Sequence, residues 1–85
     1  MPSQTVNVGS AVGLHARPAA LIAEAAAEFD SEITLAVPGD EPVDASSALL
    51  IMTLGASKGD PIEVSSDDPD ALERIALLVA EDLDA

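Results

Sequence analysis

Hydrophobic and polar side chains alternate in four short stretches of the chain, which is the pattern of β-strands with one buried face. The alternation predicts strands at Thr5–Val8, Ile33–Val37, Val43 and Ile62–Ser65. Pro42, beside the third stretch, suits only the edge of a sheet because proline has no N–H to donate. The pattern therefore predicts a small sheet with Val43 near one edge.

Three further stretches place apolar residues at the spacing of a helix with one buried side. They predict helices over Pro18–Phe29, over Ser47–Leu54 with Ser46 as N-cap, and from Pro69 onward with Asp68 as N-cap. The residues expected on the buried sides of the first and last helices are Leu21, Ile22, Ala25, Ala26 and Phe29, and Leu72, Ile75, Ala76, Val79 and Leu83.

The predicted elements follow the order β-α-β-β-α-β-α without repeats, linkers or low-complexity segments. We therefore expect residues 1–85 to form a single α+β domain. Strands separated by helices are usually parallel neighbours, but four short strands can also interleave so that all neighbours are antiparallel. Three amphipathic helices can cover one face of such a sheet and leave the other face to solvent. The pattern alone leaves the strand order open.

Composition and charge narrow the functional classes. The 85 residues include 16 acidic and three basic side chains, for a formal net charge of −13. Nucleic acids and anionic membranes bind clustered Lys and Arg, so this charge disfavours both as partners. It favours attraction to a basic protein surface instead. The chain has no cysteine and one histidine, which argues against disulfides, thiolate catalysis and a zinc site.

The sequence also lacks the patterns of membrane and secretory segments. Its start does not resemble a signal peptide, and no apolar run approaches the ~20 residues of a membrane-spanning helix. We therefore expect a soluble, cytoplasmic protein without membrane insertion. We also expect a monomer without bound metal or cofactor.

The candidate chemistry lies in Gly13–Ala19, where the first strand pattern ends and the first helix pattern begins. His15 is the only histidine, and an imidazole can act as a nucleophile near neutral pH. Pro18 suits the first turn of a helix, so the backbone N–H groups of Ala16 and Arg17 can face an anion. Arg17 also brings a planar, charged side chain that matches phosphate. The stretch predicts a nucleophile within a phosphate-binding site; a solvated histidine or a weak helix cap is the alternative.

The residues Gly13–Ala19 resemble the active-site signature of HPr, the histidine-containing phosphocarrier family of the bacterial phosphotransferase system. The resemblance continues through Phe29–Ile33 and Ser46–Gly55. It implies an open-faced β-sandwich, with an antiparallel sheet of order 1-4-2-3 and all three helices on one face. It also implies that Enzyme I, phosphorylated by phosphoenolpyruvate, passes the phosphoryl group to Nδ1 of His15 beside Arg17. The carrier, which is not itself an enzyme, then hands the group to the IIA domain of a sugar permease.

The two helices nearest the candidate site provide the expected partner surface. Ala20 and Glu24 fall on one side of the first helix, where small residues would leave room for a partner, although helix propensity alone explains the alanine equally well. The short second helix has more apolar surface than one side can bury. We therefore expect Ala48, Leu49 and Met52 to face partner enzymes.

Ser47 is a second candidate site. The resemblance aligns Ser47 with the regulatory phosphoserine of many Gram-positive members, which would add a serine kinase and phosphatase to the partners. The sequence departs from those members just afterwards, with Ala48-Leu49-Leu50 where they have an Ile-Met-Gly run. Helix capping by Ser46 or Ser47 explains both serines without phosphorylation.

Other functions remain as alternatives. An acyl carrier protein has similar length and charge, but it needs an Asp-Ser-Leu attachment motif on an all-helical fold, and this sequence has neither. A regulatory module of the same fold could act without phosphate, although an intact His15 argues against it. A nitrogen-related branch of the phosphotransferase system is open as well, since the sequence does not specify a sugar.

Overall fold

The strands of the described part of the chain, residues 1–82 of the computed structural model, form one antiparallel sheet. They are β1 (Ser3–Asn7), β2 (Ile33–Ala36), β3 (Val43–Asp44) and β4 (Pro61–Ser66), each ending within two residues of its predicted limits. Their order across the sheet is β1-β4-β2-β3. This confirms the order that the resemblance implied and leaves β3, next to Pro42, at one edge.

The helices lie on one face of this sheet and are α1 (Ala16–Ala27), α2 (Ala48–Met52) and α3 (Pro69–Ala80). α1 packs against both other helices, and α3 also packs against β1 and β4. The element order and the open-faced α+β architecture are therefore those that were predicted. None of the helices within residues 1–82 is long and apolar enough to cross a membrane.

α3 begins at its predicted N-cap. The carboxylate of Asp68 accepts hydrogen bonds from the backbone N–H groups of Asp70 and Ala71, at 3.0 and 3.4 Å. Pro69 follows in the first turn, where its missing N–H leaves no hydrogen bond unmade. Leu83, the last residue expected on the buried side of this helix, lies outside the described residues.

α1 begins at Ala16 rather than Pro18 and ends at Ala27 rather than Phe29. The predicted burial of Leu21 was wrong, since this side chain is 38% exposed. At about 3.6 residues per turn, Leu21 falls beside the buried side of the helix, whereas the equally large Ile22 falls on it and is fully buried. The residues of α1 that are buried are Pro18, Ala19, Ile22, Ala23, Ala25 and Ala26.

The core lies between the helices and the inner face of the sheet. Leu35 of β2 pairs with Val64 of β4, and both side chains are fully buried. The other large, fully buried aliphatic side chains are Ile22, Ile51, Ile62, Ile75 and Val79. Burying one such side chain contributes about 1.5–3 kcal/mol, so aliphatic burial stabilises this chain without any Trp or Tyr.

Candidate functional site

The loop between β1 and α1 leads to the candidate site and is anchored by two buried side chains. Val8 at its start and Leu14 at its end are 2% and 4% exposed. His15 follows Leu14 directly and is exposed. The buried Leu14 therefore fixes the backbone one residue before an imidazole that faces solvent.

Gly13 is required where this loop meets the connection between α2 and β4. Its φ angle is +74°, which other residues rarely adopt, and a Cβ at this position would lie 2.3 Å from the carbonyl oxygen of Ala56. The next residue, Leu14, donates its N–H to the same carbonyl at 3.0 Å. The glycine of the sequence motif thus allows the close contact that holds the backbone before His15.

His15 is the N-cap residue of α1. Its backbone is extended, with φ −87° and ψ −169°, and its carbonyl accepts a hydrogen bond from the N–H of Ala19 at 2.9 Å. Its side chain makes no capping hydrogen bond. The imidazole therefore projects from the start of the helix and is not occupied by capping.

The first turn of α1 offers hydrogen-bond donors to an anion. The N–H groups of Ala16 and Arg17 have no acceptor within the helix, since each lies fewer than four residues from its start. The helix dipole adds partial positive charge at the same end. Pro18 is the third helical residue, not the first as predicted, yet it still lies in the first turn and is buried. The exposed Arg17 side chain belongs to the same turn as His15.

The residues of the expected partner surface lie on the two packed helices, α1 and α2. On α1, Ala20 is half-buried and Glu24 is exposed. On α2, Ala48 and Met52 are half-buried, whereas Leu49 is 69% exposed. Leu49 is therefore the most open apolar side chain of this set.

Two exposed apolar residues near the candidate site were not predicted. Val12, in the loop three residues before His15, is 60% exposed, and Leu21 of α1 is 38% exposed. Leu21 follows Arg17 by four residues and precedes Glu24 by three, so all three share one side of α1. That spacing could have identified Leu21 from the sequence.

The serines before α2 have different roles from those predicted. Ser47, not Ser46, is the N-cap, and its Oγ accepts a hydrogen bond from the N–H of Leu50 at 3.2 Å. Ser46 instead donates its N–H and Oγ–H to Oδ1 of Asp44, at 2.9 and 2.7 Å. These two hydrogen bonds hold the pKa of Asp44 below its usual value. Because Asp44 binds Ser46, the helix begins one residue later than expected.

Two other surface features of residues 1–82 concern metal and small-molecule binding. Within this part of the chain, no group of three or more His, Cys, Asp or Glu side chains could hold a metal ion. A depression of about 520 Å³ lies beside the last residues of α1 and is lined in part by Phe29 and Asp44. It is at the opposite end of α1, about 18 Å from His15 for a helix of 12 residues.

Comparison with known proteins gives a consistent family assignment. Residues 2–81 match the family model described as the PTS HPr component phosphorylation site. The chain is 45% identical to the phosphocarrier protein HPr of Streptomyces coelicolor, an alignment that covers 99% of this chain and 94% of that protein. It is 34% identical to the phosphocarrier protein NPr of Escherichia coli K12, over 91% of this chain and 86% of that protein.

Solved structures give the same result for the fold. A phosphocarrier protein HPr from Bacillus anthracis superposes with a TM-score of 0.82 at 34% identity, covering 92% of this chain and 95% of that chain. Crh, the catabolite repression HPr of Bacillus subtilis, superposes with a TM-score of 0.66, also at 34% identity, covering 95% and 99% of the two chains. The similarity therefore covers nearly the whole chain in both sequence and structure.

Proposed function

The chain belongs to the HPr family of phosphocarrier proteins of the phosphotransferase system, and we propose that His15 carries its phosphoryl group. One observation supports this assignment above the others. The only imidazole of the sequence is an exposed N-cap that makes no capping hydrogen bond, and it stands beside Arg17 and the free N–H groups of the first turn.

In the proposed transfer, the lone pair of Nδ1 on neutral His15 attacks the phosphorus of phosphorylated Enzyme I. A nitrogen–phosphorus bond forms as the bond from phosphorus to Enzyme I breaks, and the bonding electrons return to Enzyme I. The attacking and leaving atoms lie roughly in line, so catalysis depends on positioning and on electrostatic stabilisation. Transfer onward to a IIA domain repeats the exchange with the carrier as donor.

The first turn of α1 stabilises the negative charge that arrives with the phosphoryl group. Phosphorylated His15 holds roughly −1.5 to −2 charges if it resembles other phosphorylated side chains. The helix N-terminus contributes about 0.3–1 kcal/mol at an exposed position. A charge-assisted hydrogen bond from Arg17 contributes about 1.5–3 kcal/mol when well ordered, and less where water competes.

The net charge of −13 does not oppose this step strongly. Repulsion between exposed charges is screened over about 8 Å at physiological ionic strength. Glu24 is eight residues beyond Ala16, about 12 Å along α1 at 1.5 Å per residue, so its effect on the phosphoryl group is largely damped. The local groups of Ala16 and Arg17 therefore dominate over the charge of the whole chain.

We propose that Enzyme I and the IIA domain dock on the same surface beside His15. The docking surface consists of Ala20, Glu24, Ala48, Leu49 and Met52. It combines the small Ala20 of α1, which leaves space near the site, and the exposed Glu24 with apolar residues of α2, of which Leu49 is 69% exposed and Ala48 and Met52 are half-buried. Successive use of one surface suits a carrier, since it cannot hold donor and acceptor together.

We propose sugar uptake as the pathway, which is the role that the resemblance to HPr implies. Identity to the HPr of Streptomyces coelicolor is 45%, compared with 34% to the NPr of Escherichia coli. Identity to the HPr of Bacillus anthracis is also 34%, so identity alone does not separate a permease IIA domain from a nitrogen-related one as the acceptor. Incubating the phosphorylated chain with each type of IIA domain and following loss of the phosphoryl group compares the two directly.

The decisive experiment is intact mass measurement after incubation with phosphoenolpyruvate and Enzyme I. We expect the parent chain to gain the mass of one phosphoryl group and to lose it in acid, as a nitrogen-linked phosphate does. His15→Ala should gain nothing, whereas Ser47→Ala, the control, should be phosphorylated like the parent. Equal phosphorylation of His15→Ala would refute the assignment, and a parent that gains nothing would favour a regulatory module that acts without phosphate.

A further inference from the structure

The loop that leads to His15 supplies hydrogen-bond donors to the end of α3. The N–H of Gly9 donates to the carbonyl of Val79 at 3.0 Å, and Oγ of Ser10 donates to the carbonyl of Glu81 at a longer 3.4 Å. The last carbonyls of a helix have no donors within the helix itself. α3 ends with Glu81 in an extended conformation, without a terminal glycine. The β1–α1 loop therefore takes the place of an ordinary helix cap.

Gly9 lies unusually close to the backbone of α3. A Cβ at Gly9 would lie 2.0 Å from the carbonyl oxygen of Ala80 and 2.6 Å from its carbonyl carbon. Gly39 offers a contrast, because a Cβ there would meet no atom within 4 Å. Glycine at position 9 is thus needed for close packing against main-chain atoms, which cannot rotate away as a side chain could.

The contact continues through hydrogen bonds to the residue before His15. The carbonyl of Ser10 accepts the N–H of Gly13 at 2.9 Å, closing a turn, and the N–H of Leu14 donates to the carbonyl of Ala56. Ser10 itself is 1% exposed. The segment is consequently held on one side by α3 and on the other by the connection between α2 and β4.

We propose that Gly9 and Ser10, packed against the last turn of α3, are positioning residues for phosphoryl transfer at His15. The proposal rests on the proposed function, because it concerns how the imidazole of His15 is aimed at the incoming phosphorus. Neither residue touches the phosphoryl group; both act through the backbone of the turn. In-line transfer is sensitive to such placement, and a displacement of about 1 Å can reduce a rate by about 10²-fold.

The main test compares Gly9→Ala with Gly39→Ala. Gly9→Ala forces the loop and α3 apart, whereas Gly39→Ala strains a backbone with φ +92° in a turn that makes no close contact there. We expect Gly9→Ala to lower the single-turnover rate of phosphorylation by Enzyme I ten-fold or more, with the apparent Kd for Enzyme I unchanged. Gly39→Ala should leave both quantities within two-fold of the parent. Far-UV circular dichroism confirms that each variant is folded.

The imidazole gives a second readout that does not require phosphorylation. His15 is the only histidine of the sequence, so its ring produces a single, assignable set of NMR signals. We expect these signals to shift in Gly9→Ala and to stay in place in Gly39→Ala. Ser10→Ala removes only one hydroxyl and serves if Gly9→Ala does not fold; its ring signals should shift from those of the parent, and transfer should slow two- to five-fold.

The outcomes separate this proposal from the proposed function. The positioning role would be overturned if Gly9→Ala transferred within two-fold of the parent rate and its ring signals did not shift. If Gly9→Ala does not fold, the same result in Ser10→Ala would overturn it. Equal slowing by both glycine variants would overturn it too, since stability alone would then explain the loss. A parent that accepts no phosphoryl group would refute the proposed function, and the ring signals would still report whether the contact with α3 positions His15.

Discussion

At the scale of single residues, Arg17 brings to the candidate site a permanent positive charge that few residues of this chain could supply. The sequence contains three basic side chains against 16 acidic ones. Arg17 is exposed in the first turn of α1, whereas Arg74 is exposed on α3. The two arginines therefore carry the same charge in different places, which allows the local effect of Arg17 to be measured.

Replacing Arg17 by alanine should slow phosphoryl transfer ten-fold or more, equivalent to about 1.4 kcal/mol, because the guanidinium stabilises the oxygens of the moving group. Arg17→Lys should recover part of the rate, since one ammonium cannot present a planar pair of donors. Rapid-quench kinetics with Enzyme I measure both. Arg74→Ala removes the same charge and should transfer like the parent; an equal effect of both alanine variants would mean that only net charge matters.

The residue before α2 offers a second test at this scale. Ser47→Asp should keep the helix cap, since aspartate is also a good N-cap and its charge suits the helix dipole. We expect the added charge, close to Leu49 on the docking surface, to lower the second-order rate constant for transfer from Enzyme I several-fold. Ser3→Asp adds the same charge on the exposed strand β1 and is the matched control. Unchanged kinetics for Ser47→Asp would remove Ser47 from the docking surface.

At the scale of elements, the N-cap of α3 gives a direct prediction for stability. Asp68→Ala removes the carboxylate that accepts two backbone N–H groups, and it should lower the free energy of unfolding by about 0.5–2 kcal/mol. Urea denaturation followed by far-UV circular dichroism measures the change. Asp67→Ala loses the same charge from an exposed position one residue earlier. An equal loss in Asp67→Ala would show that capping is not the cause.

The helix starts show where sequence reasoning succeeds. Asp68 was identified correctly because Pro69 favours the first helical position, so the capping residue directly before it is the N-cap. Before α2, Ser46 and Ser47 are equally good caps by type, and the outcome depends on Asp44, which binds Ser46. That competition involves a residue in a strand and is invisible to a pattern read along the helix. The start of α1 was misplaced for a different reason. Proline is tolerated throughout a first turn, so Pro18 did not mark the first residue of the helix.

Pairing between distant segments was the least accessible to pattern alone, whereas closer use of helical spacing could have corrected the burial of one residue. Hydrophobicity predicted that Leu21 is buried, but which side of α1 faces the core is set by its packing against α2 and α3, and Leu21 falls beside that side. The strand order came from the family resemblance, because alternation identifies strands without their neighbours. The motif around His15, by contrast, was readable because all its groups are local in the chain. The hydrogen bonds that Ala56 and α3 make to the loop before His15 could not be predicted, because these partners are distant in the chain.

At the scale of the whole molecule, repulsion between acidic side chains opposes the folded state at low salt. Raising NaCl from about 0.01 to 0.1 M shortens the screening length from about 30 to 10 Å. We expect Tm, followed by circular dichroism, to rise by about 4–8 °C, which corresponds to about 1 kcal/mol for a domain of this size. A variant that combines Glu28→Gln, Glu41→Gln and Glu73→Gln, all at exposed positions, should show a smaller rise. An equal rise would exclude self-repulsion as its cause.

The order of the strands has a consequence for how the protein is made. β4 is one of the two inner strands of the sheet but the last of its strands to be synthesised, and β1 pairs within the sheet only with β4. More than 50 residues separate Asn7 from its partner Pro61. At a synthesis rate of about 5–20 residues per second, β1 waits about 3–12 s on the ribosome before its partner exists. We therefore expect the sheet to form only after β4 has left the exit tunnel.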